Sequence, residues 1–177
     1  GEPLYYVPGA AYGDQAEKTL ILTHQDVRKK KISHQLLEDD VLIEVDAKGD
    51  IIWEWHAADH FQEFGFSETA RNAMFRDPNT QPCGPEGQGD WLHINCASYL
   101  GPNRWYDAGD NSFHPDNIIM DSREACFMFI IDHQTGKVVW QVGPDYTASR
   151  ELRIMGPVIG MHSTHMIPQG LPGAGNI

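Results

Sequence analysis

A β-propeller is the architecture this sequence predicts, and three observations predict it. A unit of apolar strand, Asp, Gly-containing turn, two β-branched residues and Trp occurs over Asp40–Trp53 and again over Cys126–Trp140. Residues 91–100, 117–123, 126–132 and 137–142 read as four successive short strands, which is one antiparallel blade. Residues 19–24, 40–46 and 51–55 read as the last three strands of a preceding blade, and a recurring unit of this kind marks repeat architecture. The expected fold is therefore all-β, with about two to three four-stranded blades of a larger ring and a short inserted helix.

Residues 1–18, rich in Gly, Pro and Tyr, read as loop. Thr19–Thr23 is a short apolar strand, followed by a polar excursion through Ser33. Asp40–Asp46 has strand composition, and Ala47-Lys48-Gly49-Asp50 is a turn in which Gly49 can take a positive φ. Ile51–Trp55 then alternates as a strand does. In residues 56–89, an inserted segment, Ser67 and Ala70 mark a helix start and predict a short helix through Phe75. The blade of residues 91–143 follows. Residues 161–168 read as the innermost strand of a third blade, over 161–177, whose second strand would begin at Asn176-Ile177. A ring needs about four to eight blades. The sequence thus reads as a fragment whose exposed edges the rest of a longer chain, or another chain, would cover.

The 177 residues include 41% hydrophobic residues, enough for a core. A formal charge of −12 excludes a nucleic-acid partner by this reading, because no basic face is present to displace counterions. The basic run Arg28–Lys31 is followed by Glu38-Asp39-Asp40 and reads as a solvated loop. No stretch approaches the roughly 18 apolar residues of a membrane span, and no signal peptide is visible. Cys96 and Cys126 sit in apolar strand patterns and read as buried thiols. A Cys83–Cys96 disulfide would need an oxidising compartment.

The residues that could carry chemistry cluster between Asp90 and Arg123. In one strand His93 and Asn95 are two apart, so their side chains leave the same face with Trp91. Leu92, Ile94 and Cys96 take the other face, which reads as the buried one. Arg123 ends the next strand. If the two strands pair, an imidazole, an amide and a guanidinium converge at one sheet end, a donor set suited to an oxyanion. Innermost strands line a propeller's channel, and His162 falls on the next such strand.

Asp90-Trp-Leu-His-Ile-Asn95, the strand ending Ser122-Arg123, Gly136-Lys-Val-Val-Trp140 and the segment from His162 to Gly170 together resemble the arylsulfate sulfotransferase family. The last segment, His-Ser-Thr-His-Met-Ile-Pro-Gln-Gly, is similar to that family's His-Asp-Ala-x-x-Leu-Pro-x-Gly. The resemblance spans residues 19–177. It implies a propeller enzyme that moves a sulfuryl group from an aryl sulfate donor to a phenolic acceptor, without a nucleotide-sulfate cofactor, through a sulfohistidine. By motif, His162 is then the nucleophile, and His93, Asn95 and Arg123 hold the sulfuryl oxygens. The family is also found in bacterial periplasms, which implies a periplasmic or secreted location. A further family histidine would lie before Gly1. Ser163 and Thr164 stand where the family has Asp-Ala, and neither is expected to face the sulfuryl group.

Plainer readings stand beside these. His93 alone reads as a hydrogen-bonded structural histidine, and Arg123 as an ion-pair partner of Asp121 or Glu124. His60 and His114 read as loop residues, and Trp53, Trp55 and Trp140 as packing between blades. His162 and His165, three apart in a strand, point to opposite faces and would not chelate one metal. Two rival functions follow: a non-catalytic propeller serving as a binding or scaffold module, and a metal-dependent hydrolase drawing on the nine histidines.

Overall fold

The computed structural model describes residues 5–6, 18–78 and 89–177. Among them are two antiparallel four-stranded sheets, each a meander in chain order. The first contains β1 (Tyr5–Tyr6), β2 (Thr19–Val27), β3 (Leu37–Val45) and β4 (Ile51–His56). Its innermost position is occupied by the two-residue β1, within residues that the sequence reads as loop, with Tyr5 opposite Leu22 and Tyr6 opposite Ile21. Strands β2 and β3 run further than their apolar patterns. His24, Gln25 and Asp26 pair with Asp40, Asp39 and Glu38, because a backbone ladder continues across polar side chains that have partners.

The two repeated hairpins are built alike. In the first turn Asp46 Oδ1 accepts from the Lys48 and Asp50 amides at 2.8 and 3.0 Å, and Gly49 takes φ 87°. In the second, Asp132 Oδ1 accepts from the Thr135 amide at 2.7 Å, and Gly136 takes φ 71°. The aspartate at the strand end thus caps its own turn, and glycine supplies the left-handed residue.

The second sheet contains β5 (Ile94–Tyr99), β6 (Ile118–Ser122), β7 (Phe127–Ile131) and β8 (Val138–Val142). Its two middle strands, β6 and β7, are buried on both faces. Ile118, Met120, Phe127, Phe129 and Ile131 join a core shared with Leu20, Leu22, Leu42 and Trp55 of the first sheet. Ile119 and Ile130 point the other way, to a second core with Leu100, Phe113 and Met166. Period-two alternation with both sides apolar is what a blade packed between neighbours requires.

The segment between the sheets does more than connect them. Helix α1 (Glu68–Arg76) forms where expected, with Ser67 Oγ accepting from the Ala70 amide at 3.2 Å. Ahead of it, a 3-10 turn over Ala57–His60 leads into Phe61, Phe64 and Phe66, all buried in the shared core. The Phe64 ring lies 5.2 Å from those of both Phe127 and Phe129 and 6.2 Å from Trp91. This aromatic wedge seats Trp91, the neighbour of Asp90.

Trp55 packs between the sheets as expected, its indole donating to Gly136 O at 2.9 Å. His60, read as a loop residue, ends the 3-10 turn and stacks on Trp55 at 5.0 Å. Two short helices had no sequence expectation. They are α2 (Arg104–Asp107), capped by Asn103, and α3 (Arg150–Met155), capped by Ser149. Residues 161–168 form no regular strand, contrary to the sequence reading. Ile167 instead exchanges backbone bonds with Gly175 and Asn176 at 2.9 and 2.8 Å, the beginning of an antiparallel pairing.

Candidate active site

The entrance to β5 departs from the regular strand that the sequence suggested. Gly89 O accepts from the Glu38 amide at 3.1 Å, tying this segment to the start of β3. Trp91 and Leu92 are both buried in the shared core. The expected alternation of faces is therefore absent there. His93 takes φ 52°, a left-handed conformation that a non-glycine residue adopts only where its surroundings hold it. Its carbonyl accepts from the Arg123 amide at 3.1 Å, and Leu92 O accepts from the Glu124 amide at 3.2 Å.

Two residues later the ladder slips. Ile94 lies opposite Ser122 but Cys96 lies opposite Asp121, so Asn95 is the extra residue of a β-bulge. Bulges re-aim side chains, and the Asn95 amide donates to Met161 O at 3.1 Å. His93 and Asn95 thus differ in surroundings: His93 is partly exposed and Asn95 is buried.

The chain around His162 is held on both sides by the second sheet. Asn95 holds Met161, Asp121 Oδ2 accepts from the Thr164 amide at 2.9 Å, and Cys96 Sγ lies 3.2 Å from Thr164 O. Between these pins His162 is exposed, with Nδ1 3.0 Å from Ser163 Oγ. Ser163 is the second left-handed non-glycine residue of the site, at φ 62°. Its hydroxyl contact with His162 was not legible from the motif, where the residue looked like a neutral replacement. A side chain that accepts hydrogen bonds, beside a histidine in an irregular stretch, was the available signal.

Arg123 stands one residue beyond β6, at the start of the β6–β7 turn. Its Nη1 lies 2.5 Å from Glu124 Oε1. Of the two carboxylates that the sequence set beside it, Glu124 makes this ion pair, while Asp121 is turned to Thr164 and Cys96. The structure thus joins His93 and Arg123 through the backbone, and Asn95 to the residue preceding His162.

Carboxylates crowd beneath this end of the sheets. Asp90 is buried, and its Oδ2 contacts His93 Nδ1. Asp40, reaching from β3, accepts from the Ile94 amide at 3.1 Å. Burial, then the charge of Asp90, pushes the Asp40 carboxyl well above its ordinary range. Burial likewise raises Asp39 to about 7, against the pull of the Ala58 amide that it accepts. Burial and the Asp121 charge push the Cys96 thiol up, so it sits as an inert thiol. Cys96 and Cys126 are free and only partly buried; Cys83 lies outside the described residues. Among the described residues no three His, Cys, Asp or Glu side chains are grouped to hold a metal ion.

These elements correspond to a known family. A model of the arylsulfotransferase (ASST) family matches residues 11–158. The chain belongs to that family. No curated protein and no solved structure matches the chain. The arylsulfotransferase fold is a β-propeller, and the two sheets are blades of it. The matched stretch contains His93, Asn95 and Arg123 and ends before His162. Among the described residues no helix is long and apolar enough to cross a membrane.

Proposed function

We propose that this arylsulfotransferase moves a sulfuryl group from an aryl sulfate to a phenol in two steps, with His162 as the carrier. Asn95 and Asp121 grip the residues on either side of His162, and that grip is the observation that carries the reading. A nucleophile needs such a mount, because group transfer depends on holding reacting atoms in register. With Nδ1 beside Ser163, Nε2 is the attacking nitrogen. It bonds to sulfur as the bond from sulfur to the aryl oxygen breaks, and the departing phenolate takes the Nε2 proton of a His93 imidazolium, which leaves the neutral ring. The acceptor phenol then gives its proton to His93 and attacks the same sulfur, and the N–S bond breaks.

The transferring group carries its charge on equatorial oxygens, as a phosphoryl group does. Arg123 brings a planar set of donors to those oxygens and Asn95 a neutral amide. Asn95 in its present bond to Met161 also serves as part of the mount. In this reading residues 19–55 and 91–143 are successive blades, residues 56–89 an insertion, and residues 161–177 the entry to a third. Further blades would complete the ring, and the protein would work in the periplasm or outside the cell.

The test uses the full-length protein with 4-nitrophenyl sulfate, with and without phenol. Nitrophenol release that phenol accelerates, and that His162→Ala abolishes, is the expected result. Release indifferent to phenol would mean hydrolysis, and no release from a range of aryl sulfates would leave a binding module.

A further inference from the structure

We infer that Asp90 is a positioning residue for His93, fixing its tautomer and ring orientation from beneath the site. This rests on the reading of His93 as the proton carrier. The geometry has three parts. Asp90 is only 3% exposed and its Oδ2 contacts His93 Nδ1. The His93 backbone is left-handed, so the imidazole is brought to its carboxylate by a conformation that the residue would not choose alone. Asp90 is itself seated by the wedge-packed Trp91, by the Gly89–Glu38 backbone bond and by its bridge to Glu38.

A carboxylate that accepts from Nδ1–H leaves the lone pair of the neutral ring on Nε2, and stabilises the imidazolium once Nε2 takes a proton. Nε2 is then the atom that exchanges protons with donor and acceptor oxygens. The ionisable groups around the pair include Glu38, Asp39 and Asp40 from β3 and, at the β6–β7 turn, Arg123 and Glu124. Asp40 is engaged with the Ile94 amide, which leaves Asp90 as the carboxyl group in contact with His93 Nδ1. Glu124 is committed to Arg123.

The deciding measurement is the 15N NMR signature of the His93 ring in the full-length protein, assigned by its loss in His93→Gln. The expected wild-type state of the neutral ring is the Nδ1–H tautomer, a preference that Asp90→Asn should lose. A wild-type Nε2–H tautomer overturns the inference, whether or not any variant folds. Asp90→Asn should lower kcat about 100-fold with KM held within about 3-fold, the size expected when acid–base assistance is impaired. Asp90→Glu should restore part of both the Nδ1–H preference and kcat. An unchanged ring in Asp90→Asn also overturns it. A changed ring in a protein whose wild type transfers no sulfuryl group supports the positioning role and removes the catalytic reading instead.

Discussion

His93 and Asn95 show what can be read from residue types and what cannot. Their presence two apart, near an arginine and upstream of a histidine, was enough to select them. Their orientation was not, because a left-handed residue and a bulged one interrupt the period of two on which any face assignment depends. Ser163 is illegible for the same reason, since its contact with His162 arises from a left-handed turn of the chain. The buried aspartates carry a prediction at this scale. Asp39 is raised from an ordinary 3.8 to about 7, so the folded state binds its proton more tightly than the unfolded chain. Stability then falls as pH rises from about 4 to about 7 and levels off above, at roughly 1.4 kcal/mol per unit of pKa difference. Asp39→Asn keeps an acceptor for the Ala58 amide and removes the titration. Urea unfolding at pH 4.5 and pH 7.5 should show the variant gaining on the wild type by a few kcal/mol between the two.

At the scale of elements, the repeated hairpin was the most legible feature of the chain. Asp, Gly, two β-branched residues and Trp are local instructions for a turn and the strand after it, and both copies fold accordingly. Helix α1 was legible for the same reason, through its Ser67 cap, and caps at Asn103 and Ser149 were equally available for α2 and α3. What the pattern omitted was context. Gly49 has open space where a Cβ would stand, while a Cβ on Gly136 would meet Trp55 Cδ1 at 3.3 Å. Gly49→Ala should therefore cost only the strain of a left-handed alanine, about 1 kcal/mol. Gly136→Ala should cost that and a further share for displacing the indole that donates to Gly136 O. Thermal unfolding of the two variants side by side checks the difference; equal losses would mean that Trp55 yields freely.

Across the whole molecule, the contacts that join one sheet to the other come from residues far apart in sequence, and beyond the tryptophans no pattern marks them. Glu44 of β3, 1% exposed, takes the Tyr99 hydroxyl from β5 and lies 2.8 Å from His133 Nε2 in the second repeated turn. Burial alone would raise the Glu44 carboxyl, but His133 and Tyr99 outweigh it and hold the group below its ordinary range. A carboxylate lowered in this way adds stability above its unfolded pKa and loses it as pH falls through the folded value. Tyr99→Phe should cost about 1–3 kcal/mol, since it strips a buried charge of a donor. It should also move the midpoint of acid unfolding to higher pH, as followed by tryptophan fluorescence. Fold class and repeat were legible because they repeat locally, whereas the seam between blades is built from single, non-repeating encounters.

The pins on Met161 and Thr164 carry a consequence for how such a chain can change over generations. The segment that bears His162 does not own the grip that holds it; Asn95 and Asp121 of the preceding sheet do. Recombination that joins two parental genes between codons 144 and 160 would pair one parent's histidine with the other's mount. Blades cut at that seam are thus unequal currency for shuffling, and functional chimeras should be those whose crossover keeps residues 95, 121 and 162 from a single ancestor.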